Sequence, residues 1–506
     1  MILRTLSLVI FSAFLFVGCS NFDKLNTDPD ATTKVTPGML VTELILKIAE
    51  PEYGADFLSS GLLSQQIAYG DVLKEMQYGK LERENFNNYY SLTDCKNMVD
   101  LADDESKTIY QAFALFVKTY ILYYSTMRLG DIPYSEAMQG ESLGNFKPKY
   151  DTQKEVFIQL LQDLENSYNL FSEATRSLDG DIIFEGDIEH WKKVVTVFRL
   201  KVLMSLSKKT DDTDLNVKDK FAKVVSTGKL MTSNDDNLKL TFSDEEGKRY
   251  PFCMKETNQT PFTIVTSMLI ENLKALNDYR LFYYCAPSKV KSDIDPSSYD
   301  AYLPVDASSP MAIVMAKYGA GEYCGFNKRY IDRTEGEPFN LLGYSEQELI
   351  LAEAITRGWI SGDASEHYQN GIYANMKFVA DATPDNPEYH HNRKITDDYI
   401  NSYLSQNTVK LTGDTEKDIE KIILQRYLAS FLQYPYESYY NYRRTGYPKW
   451  NVNSETCLNE IPTQFAQRWR YCEDEYNVNT EQVNEAVKRQ FGDSGDTNNG
   501  IMWILK

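Results

Sequence analysis

Histidine and cysteine are scarce in this 506-residue sequence, which contains four histidines and seven cysteines. None of them forms an H-E-x-x-H or C-x-x-C motif, so the sequence predicts neither a zinc-type site nor a thiol redox motif. Walker A loops, G-x-G-x-x-G loops and the G-x-S-x-G motif of serine hydrolases are also missing. We therefore predict no catalytic residues, no cofactor and no metal from motifs.

Basic residues are outnumbered by acidic ones, with 53 Lys and Arg against 73 Asp and Glu, and the formal net charge is -20. A surface that binds nucleic acid needs clustered Lys and Arg to neutralise phosphates. The sequence therefore predicts no nucleic-acid partner. The acidic balance otherwise mainly favours solubility.

The N-terminus contains the longest apolar run, from Leu6 to Val17, which is shorter than the about 20 residues that a membrane-spanning helix needs. The run ends in Gly18 directly before Cys19, and this resembles the lipobox of bacterial lipoproteins, although Phe16 is bulkier than the usual aliphatic residue. We predict a lipoprotein signal peptide at 1–18, lipidation of Cys19 and a polar tether at 19–35. A plain leader or an uncleaved anchor is the alternative.

Helical periodicity begins directly after this tether. Thr36 is a predicted N-cap and Pro37 occupies the first turn. Leu40, Leu44 and Ile48 then recur at every fourth position and predict one buried helix face.

Similar periodicity recurs along the chain and predicts consecutive helix pairs. The stretch "KTIYQAFALFVKTYILYYSTMRLG" predicts a long helix that ends at Gly130. Thr152 with Glu155, and Ser345 with Glu348, have the spacing of capping boxes. Since no 34-residue repeat is visible, periodicity alone predicts a large all-α protein and nothing finer.

Residues 229–335 differ from the rest because they are rich in Asn, Asp, Gly, Pro and Tyr. We predict one helix there, near Thr263 to Leu276, and strand-like fragments such as "NLKLTF". Long irregular segments inside a folded protein often carry function.

Three kinds of polar residues are candidate sites: a histidine pair, an arginine pair and the carboxylates. His390 and His391 lie in a loop-like stretch, for which we predict solvent exposure rather than ligand binding. Arg443 and Arg444 could bind an anion, but pairing with the abundant acids is favoured. A glycosidase would need two carboxylates about 5–9.5 Å apart, which sequence cannot show, so this alternative stays open.

Several strings then follow one another in an order that resembles the SusD/RagB family of Bacteroidetes outer-membrane lipoproteins, in its SusD-like branch, over essentially the whole mature chain. The family often has other residues at Gln464 and Cys472. The strings are "LNTDPDATT", "LGDIPYSEAMQG", "PKYDTQKEVFIQLLQDLENS", "DIIFEGDIEHWKKVVTVFRLKVLMSLS", "LLGYSEQELILAEAITRGW", "YYNYRRTGYPKW" and "EIPTQFAQRWRYCEDEYNVN".

This resemblance implies an α/α superhelix of four tetratricopeptide-like helix pairs with a large irregular elaboration. It implies one SusD-like domain over 36–506, with the elaboration at about 229–335. The protein would be anchored by lipid in the outer membrane, exposed at the cell surface, and placed over a SusC-like TonB-dependent transporter barrel. It would bind oligosaccharide or glycan without catalysis and pass it inward.

The resemblance also implies that the ligand binds on the elaboration, where aromatic rings and amides can contact a sugar. Two stretches combine such residues, and we predict that they act together. The first contains Tyr78, Phe86, Asn87, Asn88 and Tyr89, and the second contains Tyr318, Tyr323, Phe326 and Asn327.

Three alternatives to glycan capture remain open from the sequence. The same architecture could capture peptides, which would favour a deep cavity with charged ends. An α-helical glycoside hydrolase would turn over an oligosaccharide. A tetratricopeptide-type scaffold would bind protein only, but the lipobox and the irregular elaboration disfavour it.

Overall fold

The computed structural model of the chain describes residues 34–51 and 56–506. The predicted signal peptide, the predicted lipidation residue Cys19 and nearly all of the predicted tether lie outside these residues. Within the described part of the chain, no helix combines the length and apolarity that a membrane crossing requires.

The described residues form helices with four short strands, which confirms the all-α prediction. The helices of the first half are α1 (Pro37–Ala49), α2 (Ser59–Leu63), α3 (Tyr90–Leu101), α4 (Lys107–Leu129), α5 (Gly140–Leu143), α6 (Gln153–Glu173), α7 (Ile188–Ser205) and α8 (Val217–Thr227). The later helices are α9 (Ser267–Ala275), α10 (Arg280–Tyr284), α11 (Met311–Ala320), α12 (Lys328–Ile331), α13 (Tyr344–Thr356), α14 (Ala364–Asp381), α15 (Pro387–His390), α16 (Asp397–Ser405), α17 (Thr415–Ala429), α18 (Glu437–Thr445), α19 (Glu473–Val478) and α20 (Thr480–Phe491). The strands are β1 (Ile67–Tyr69), β2 (Leu238–Leu240), β3 (Thr263–Val265) and β4 (Phe339–Leu342).

The long helices pack in succession. Helix α3 lies between α1 and α4, α4 packs on α6, and α6 packs on α7. The stack then skips the irregular middle segment, because α7 contacts α13, which packs on α14 and α17. This order of packing is that of a helical superhelix with a large insertion.

Trp191 of α7 shows how the helices are held together. Its ring is fully buried and contacts Phe113 and Phe116 of α4 edge-on, at centroid distances of 5.1 and 5.5 Å. It also stacks on Phe171 of α6 at 6.2 Å. The indole N–H donates to Asp181 at 2.8 Å, so its polar atom is satisfied in the interior.

Two predicted helix starts are confirmed. The side chain of Thr36 accepts a hydrogen bond from the Met39 N–H, and α1 begins at Pro37. Thr152 and Glu155 form the full capping box at the start of α6. Both caps satisfy backbone N–H groups that a helix leaves without an internal partner.

The predicted capping box at Ser345 and Glu348 is wrong. Helix α13 begins at Tyr344, two residues before the start that a cap at Ser345 would give, and Asn237 from the middle segment accepts the Tyr344 N–H at 2.8 Å. Ser345 instead donates to the Gly371 carbonyl at 2.7 Å. A distant side chain caps this helix, and spacing within the helix could not reveal it.

The middle segment contains short elements, as predicted, but the prediction of a single helix there is wrong, because α10, α11 and α12 also lie in it. These three helices have at most ten residues each, too few for a clear helical periodicity. Residues Thr263–Val265 form strand β3 rather than the start of a helix, and α9 begins at Ser267. Strand β3 pairs antiparallel with β1, in the register Ile67 to Val265. Strand β2, which was predicted as strand-like, pairs antiparallel with β4.

The adjacent arginines Arg443 and Arg444 and the adjacent histidines His390 and His391 are all buried or half-buried. Arg444 pairs with the buried Glu353, so the predicted pairing with an acid is confirmed for this arginine. Arg443 instead donates to the backbone carbonyls of Gln467 and Met127. The prediction for the histidines is wrong, because His390 is buried and His391 is half-buried. Burial lowers the pKa of His391 to about 4, so its imidazole is neutral at pH 7.

Candidate functional site

Helix α11 lies on the surface of the middle segment and is anchored by a small apolar cluster. Val314 is the buried side chain of this helix, while Ile313 and Met315 are about half exposed. The cluster is separate from the main core, and two half-buried tyrosines pack against it. Its buried members are Ala68, Ile264, Val305, Ala307 and Val314.

The two tyrosines are Tyr318, near the end of α11, and Tyr323, which follows it. Their ring centroids are 4.9 Å apart and the ring planes are tilted by 34°. Cys324 pairs with Val265 of β3 through an isolated bridge, and Cys324 is buried while Tyr323 is partly exposed. The alternation of an extended chain therefore turns Tyr323 toward solvent and its neighbour inward.

Gly70, which follows β1, lies directly against Tyr318. A Cβ atom at Gly70 would be 2.3 Å from Tyr318 Cδ2, so only glycine leaves room for the ring. The Gly70 N–H donates to the carbonyl of the half-buried Phe262, and the Tyr318 hydroxyl donates to the carbonyl of Pro261. We call Tyr318, Tyr323 and Gly70 the tyrosine platform.

Charged groups beside the platform can contact a polar ligand. Burial, with the negative charge of Asp71 as a second cause, raises the pKa of Tyr318. Burial and Tyr318 likewise raise the pKa of Tyr323. Both hydroxyls therefore stay protonated at neutral pH and can donate or accept hydrogen bonds. Glu322 directly precedes Tyr323 in the chain, and its side chain is exposed.

The platform can bind the apolar face of a sugar ring. Aromatic side chains supply large, rigid contact area, and adjacent carboxylates accept hydrogen bonds from hydroxyl groups. Among the described residues, no group of three or more His, Cys, Asp and Glu is placed to hold a metal ion.

Tyr78, predicted as a ligand residue, supports the other end of α11. It is 5% exposed, and its hydroxyl donates to the Ser309 carbonyl at 3.0 Å, just before the helix begins. Its ring is therefore part of the base on which α11 rests.

Phe326 and Asn327 lie in the interior. Phe326 packs edge-on against Phe252 at 4.8 Å, and Asn327 is fully buried. The Asn327 side chain caps α12 and donates to the Phe282 carbonyl at 2.8 Å. We therefore infer that both residues stabilise the extended segment that contains Tyr323 and do not contact the ligand.

The remaining predicted residues occupy a different part of the fold. Phe86 and Tyr89 contact each other at 5.0 Å, and the Tyr89 hydroxyl donates to the Pro133 carbonyl beyond α4. Phe86 also contacts Tyr150, before α6, while Asn88 is exposed. These residues border the helical stack, whereas Tyr318 and Tyr323 lie on the middle segment.

Gly70, a member of the platform, and its neighbour Phe262 were not predicted from the sequence. Gly70 directly follows the apolar and aromatic residues of β1. A glycine next to a strand often allows another group to approach the backbone closely. The partner of Gly70, Tyr318, is distant in sequence, so the pairing depends on the β1–β3 register.

Comparison with known proteins shows a consistent pattern. Residues 29–471 match the profile of a family described as SusD-like, starch-binding and associating with the outer membrane. A SusD homolog from Bacteroides fragilis has 44% sequence identity and a TM-score of 0.91, with 93% of this chain and 100% of that chain covered.

Two further solved structures extend this similarity. A second SusD homolog from Bacteroides fragilis has 31% identity and a TM-score of 0.83, with 94% of this chain and 100% of that chain covered. A chitin-binding protein with 24% identity and a TM-score of 0.76, covering 93% of this chain and 100% of its own, shares the fold. None of the curated proteins compared with the chain matches it.

Proposed function

The chain belongs to the SusD-like family of starch-binding proteins that associate with the outer membrane, and from this premise we propose that it captures oligosaccharides at the cell surface. In this proposal, Cys19 carries the lipid anchor and the protein passes the glycan to a SusC-like TonB-dependent transporter without cleaving it. The ligand binds on the tyrosine platform.

The observation that carries this proposal is the geometry of Tyr318 and Tyr323. The rings are half-buried and fixed by the apolar cluster and by Gly70, so little side-chain entropy is lost when a sugar packs on them. Asp71 lies close enough to Tyr318 to raise its pKa, and its carboxylate can accept hydrogen bonds from sugar hydroxyls. A platform of this kind suits an extended glycan better than a peptide, which would favour a deep cavity with charged ends.

One buried pair of close carboxylates, Glu346 and Glu437, contacts a lysine instead of facing solvent. Glu346 and Glu437 both contact the ammonium group of Lys201, at 3.2 and 2.9 Å, and all three residues are buried. Carboxylates that share a buried cation are inaccessible to a glycosidic bond, so this pair does not offer the acid and base of a glycosidase.

Affinity electrophoresis through gels that contain starch or other neutral glycans tests the proposal. We expect Tyr318→Ala and Tyr323→Ala each to weaken retention about tenfold or more, because each removes a central aromatic contact. Equal retention of both variants and the unchanged protein would reject the platform.

Tyr373→Ala is the matched control. Tyr373 lies on α14 and is 37% exposed, so its removal changes a surface tyrosine outside the platform. Its retention should equal that of the unchanged protein. A loss of retention in this variant as large as in Tyr323→Ala would show that the effect is not local.

A further inference from the structure

A cavity of about 780 Å³ lies between α3, α4 and α6, away from the tyrosine platform. Each of the three helices contributes residues at positions i, i+3, i+4 and i+7, starting at Leu92 in α3, Gln111 in α4 and Asn166 in α6. This spacing places one stripe of each helix toward a common groove. Eight residues of helix span about two turns, or roughly 11 Å, which sets the length of the groove.

The floor of the groove is aliphatic. Val99, Leu115 and Leu170 line it, and the small side chain of Ala114 leaves room above α4. Cys95 is also part of the floor, and burial raises its pKa to about 12, so the thiol is neutral. The floor therefore has the apolar character of a helix interface.

The groove offers no aromatic face to a sugar ring. Tyr134 lines it, but its side chain is 3% exposed and the Lys118 ammonium group lies over its ring at 4.5 Å. The Tyr134 hydroxyl donates to Asp163, which also pairs with Lys118. The polar groups of Tyr134 and Lys118 therefore already have partners within the protein, and the groove differs chemically from the platform.

One end of the groove is acidic. Asp100 and Glu173 line it at the ends of α3 and α6, and the Glu105–Arg176 ion pair holds these two helix ends together. The C-terminal ends of both helices add partial negative charge there. Five carboxylates, Asp100, Asp103, Asp104, Glu105 and Glu173, lie in this region against three cations, Lys96, Lys107 and Arg176. Lys96 also lines the groove and pairs with Asp100 at 2.6 Å, so Glu173 is the lining carboxylate at this end that a bound cation can contact.

We propose that this groove binds a short amphipathic helix of another protein, which places aliphatic side chains on the floor and Lys or Arg at the acidic end. Three helices with facing stripes leave the position of a fourth helix open, and this is how helix-in-groove recognition is built. Charge complementarity at one end fixes the direction of the bound segment. The inference goes beyond glycan capture and does not depend on it.

Fluorescence anisotropy with labelled synthetic peptides tests the proposal on the full mature chain. The probes are amphipathic peptides of about 14 residues with leucines at i, i+3, i+4 and i+7 and lysines in one terminal turn. We expect saturable binding, and we expect replacement of the lysines by glutamates to weaken it about tenfold. Absence of saturable binding across the panel would overturn the proposal.

Ala114→Trp fills the groove, and Ala364→Trp at the first residue of α14, which is partly exposed like Ala114, is its matched control. We expect the first to weaken peptide binding about tenfold or more and the second to leave it unchanged. Both should retain glycans, because the platform is elsewhere. Equal peptide affinity of the two variants would overturn the proposal.

Charge reversal keeps the test valid if Ala114→Trp does not fold. Glu173→Lys changes an exposed residue, and it should weaken binding of the lysine peptide and strengthen binding of the glutamate peptide. The opposite pattern, or no change, would contradict the proposed direction. A dimer in sedimentation experiments that Ala114→Trp abolishes would instead assign the groove to a second copy of this chain.

Discussion

At Gly70, the absence of a side chain determines where the Tyr318 ring lies. A Cβ atom there would approach the Tyr318 Cδ2 to 2.3 Å and its Cβ to 2.8 Å. Because the contact includes the root of the side chain, a rotation of the ring alone would not relieve it. The platform thus depends on one glycine that does not itself need to touch the ligand.

Gly70→Ala should therefore displace Tyr318 and weaken glycan binding about tenfold, while the unfolding midpoint changes little. Titration calorimetry with a retained glycan and thermal unfolding of the same sample measure both quantities. Gly247→Ala is a suitable control, since a Cβ there would meet nothing within 4 Å, although its positive φ carries some strain. Unchanged affinity in Gly70→Ala would contradict the assigned role of Tyr318.

The role of Tyr318 and Tyr323 in ligand binding stays a prediction, and it came from a cluster of aromatic residues among glycines. The structure shows that the two rings lie together and are partly exposed. The inward members of the same stretch, Phe326 and Asn327, could not be separated from its outward ones, because their burial depends on tertiary contacts such as the isolated Cys285–Phe326 bridge to the residue that follows α10. Gly70 was missed for the same reason, since its partner comes from another part of the chain.

The side chains that cap the helix starts come from different distances along the chain. Thr152 caps α6 with a neighbour three residues away, and this cap was predicted from sequence. Asn237 caps α13 across more than one hundred residues and also donates to Asn340 at 3.2 Å. Periodicity and local caps therefore predicted long helices such as α4 and α6, while caps that depend on tertiary contact could not be predicted.

Asn237→Ala should lower the free energy of unfolding by about 2 kcal/mol, and Thr152→Ala by about 1 kcal/mol. The larger loss is expected at Asn237, because this side chain is buried and its removal leaves two polar partners without hydrogen bonds. Urea denaturation followed by circular dichroism measures the difference. Equal effects of the two variants would contradict the buried cap.

An ion network connects helices from both halves of the molecule. Glu353 of α13 is fully buried and pairs with Arg444 of α18 and Arg357, and its second oxygen lies 3.6 Å from Arg426 of α17. These guanidinium groups, with Arg444 the strongest, outweigh desolvation and lower the pKa of Glu353 to about 2.

Glu353→Gln should reduce the free energy of unfolding by about 3 kcal/mol at pH 7, because it leaves buried cations without their carboxylate. Denaturant titration measures this loss, and Glu481→Gln at an exposed position of α20 is the control. A loss no larger than that of the control would contradict a buried network.

The same variant has a defined pH dependence. The pKa of Glu353 falls from 4.5 in the unfolded chain to about 2 in the folded protein, so its contribution is fully present above pH 4.5. It is lost as the pH falls through about 2. The difference in unfolding free energy between the unchanged protein and Glu353→Gln should therefore shrink between pH 4.5 and 2, and a constant difference would contradict this assignment.

At the scale of the whole molecule, the proposed function places a lipid anchor at Cys19. Cys19→Ser should abolish incorporation of labelled fatty acid and release the protein from the membrane fraction, because acyl chains supply the anchor. Fractionation and labelling of cells that express both forms measure this. Equal membrane retention of an unlabelled variant would contradict the lipid anchor.

The most direct test of the central claim is titration calorimetry of the full mature chain with a panel of neutral oligosaccharides, followed by chromatography of the recovered sugar. We expect saturable binding of at least one glycan, loss of that binding in the Tyr318→Ala, Tyr323→Ala double variant, and recovery of the glycan intact. Undiminished binding in the double variant, or shortened products in the recovered sugar, would contradict the claim.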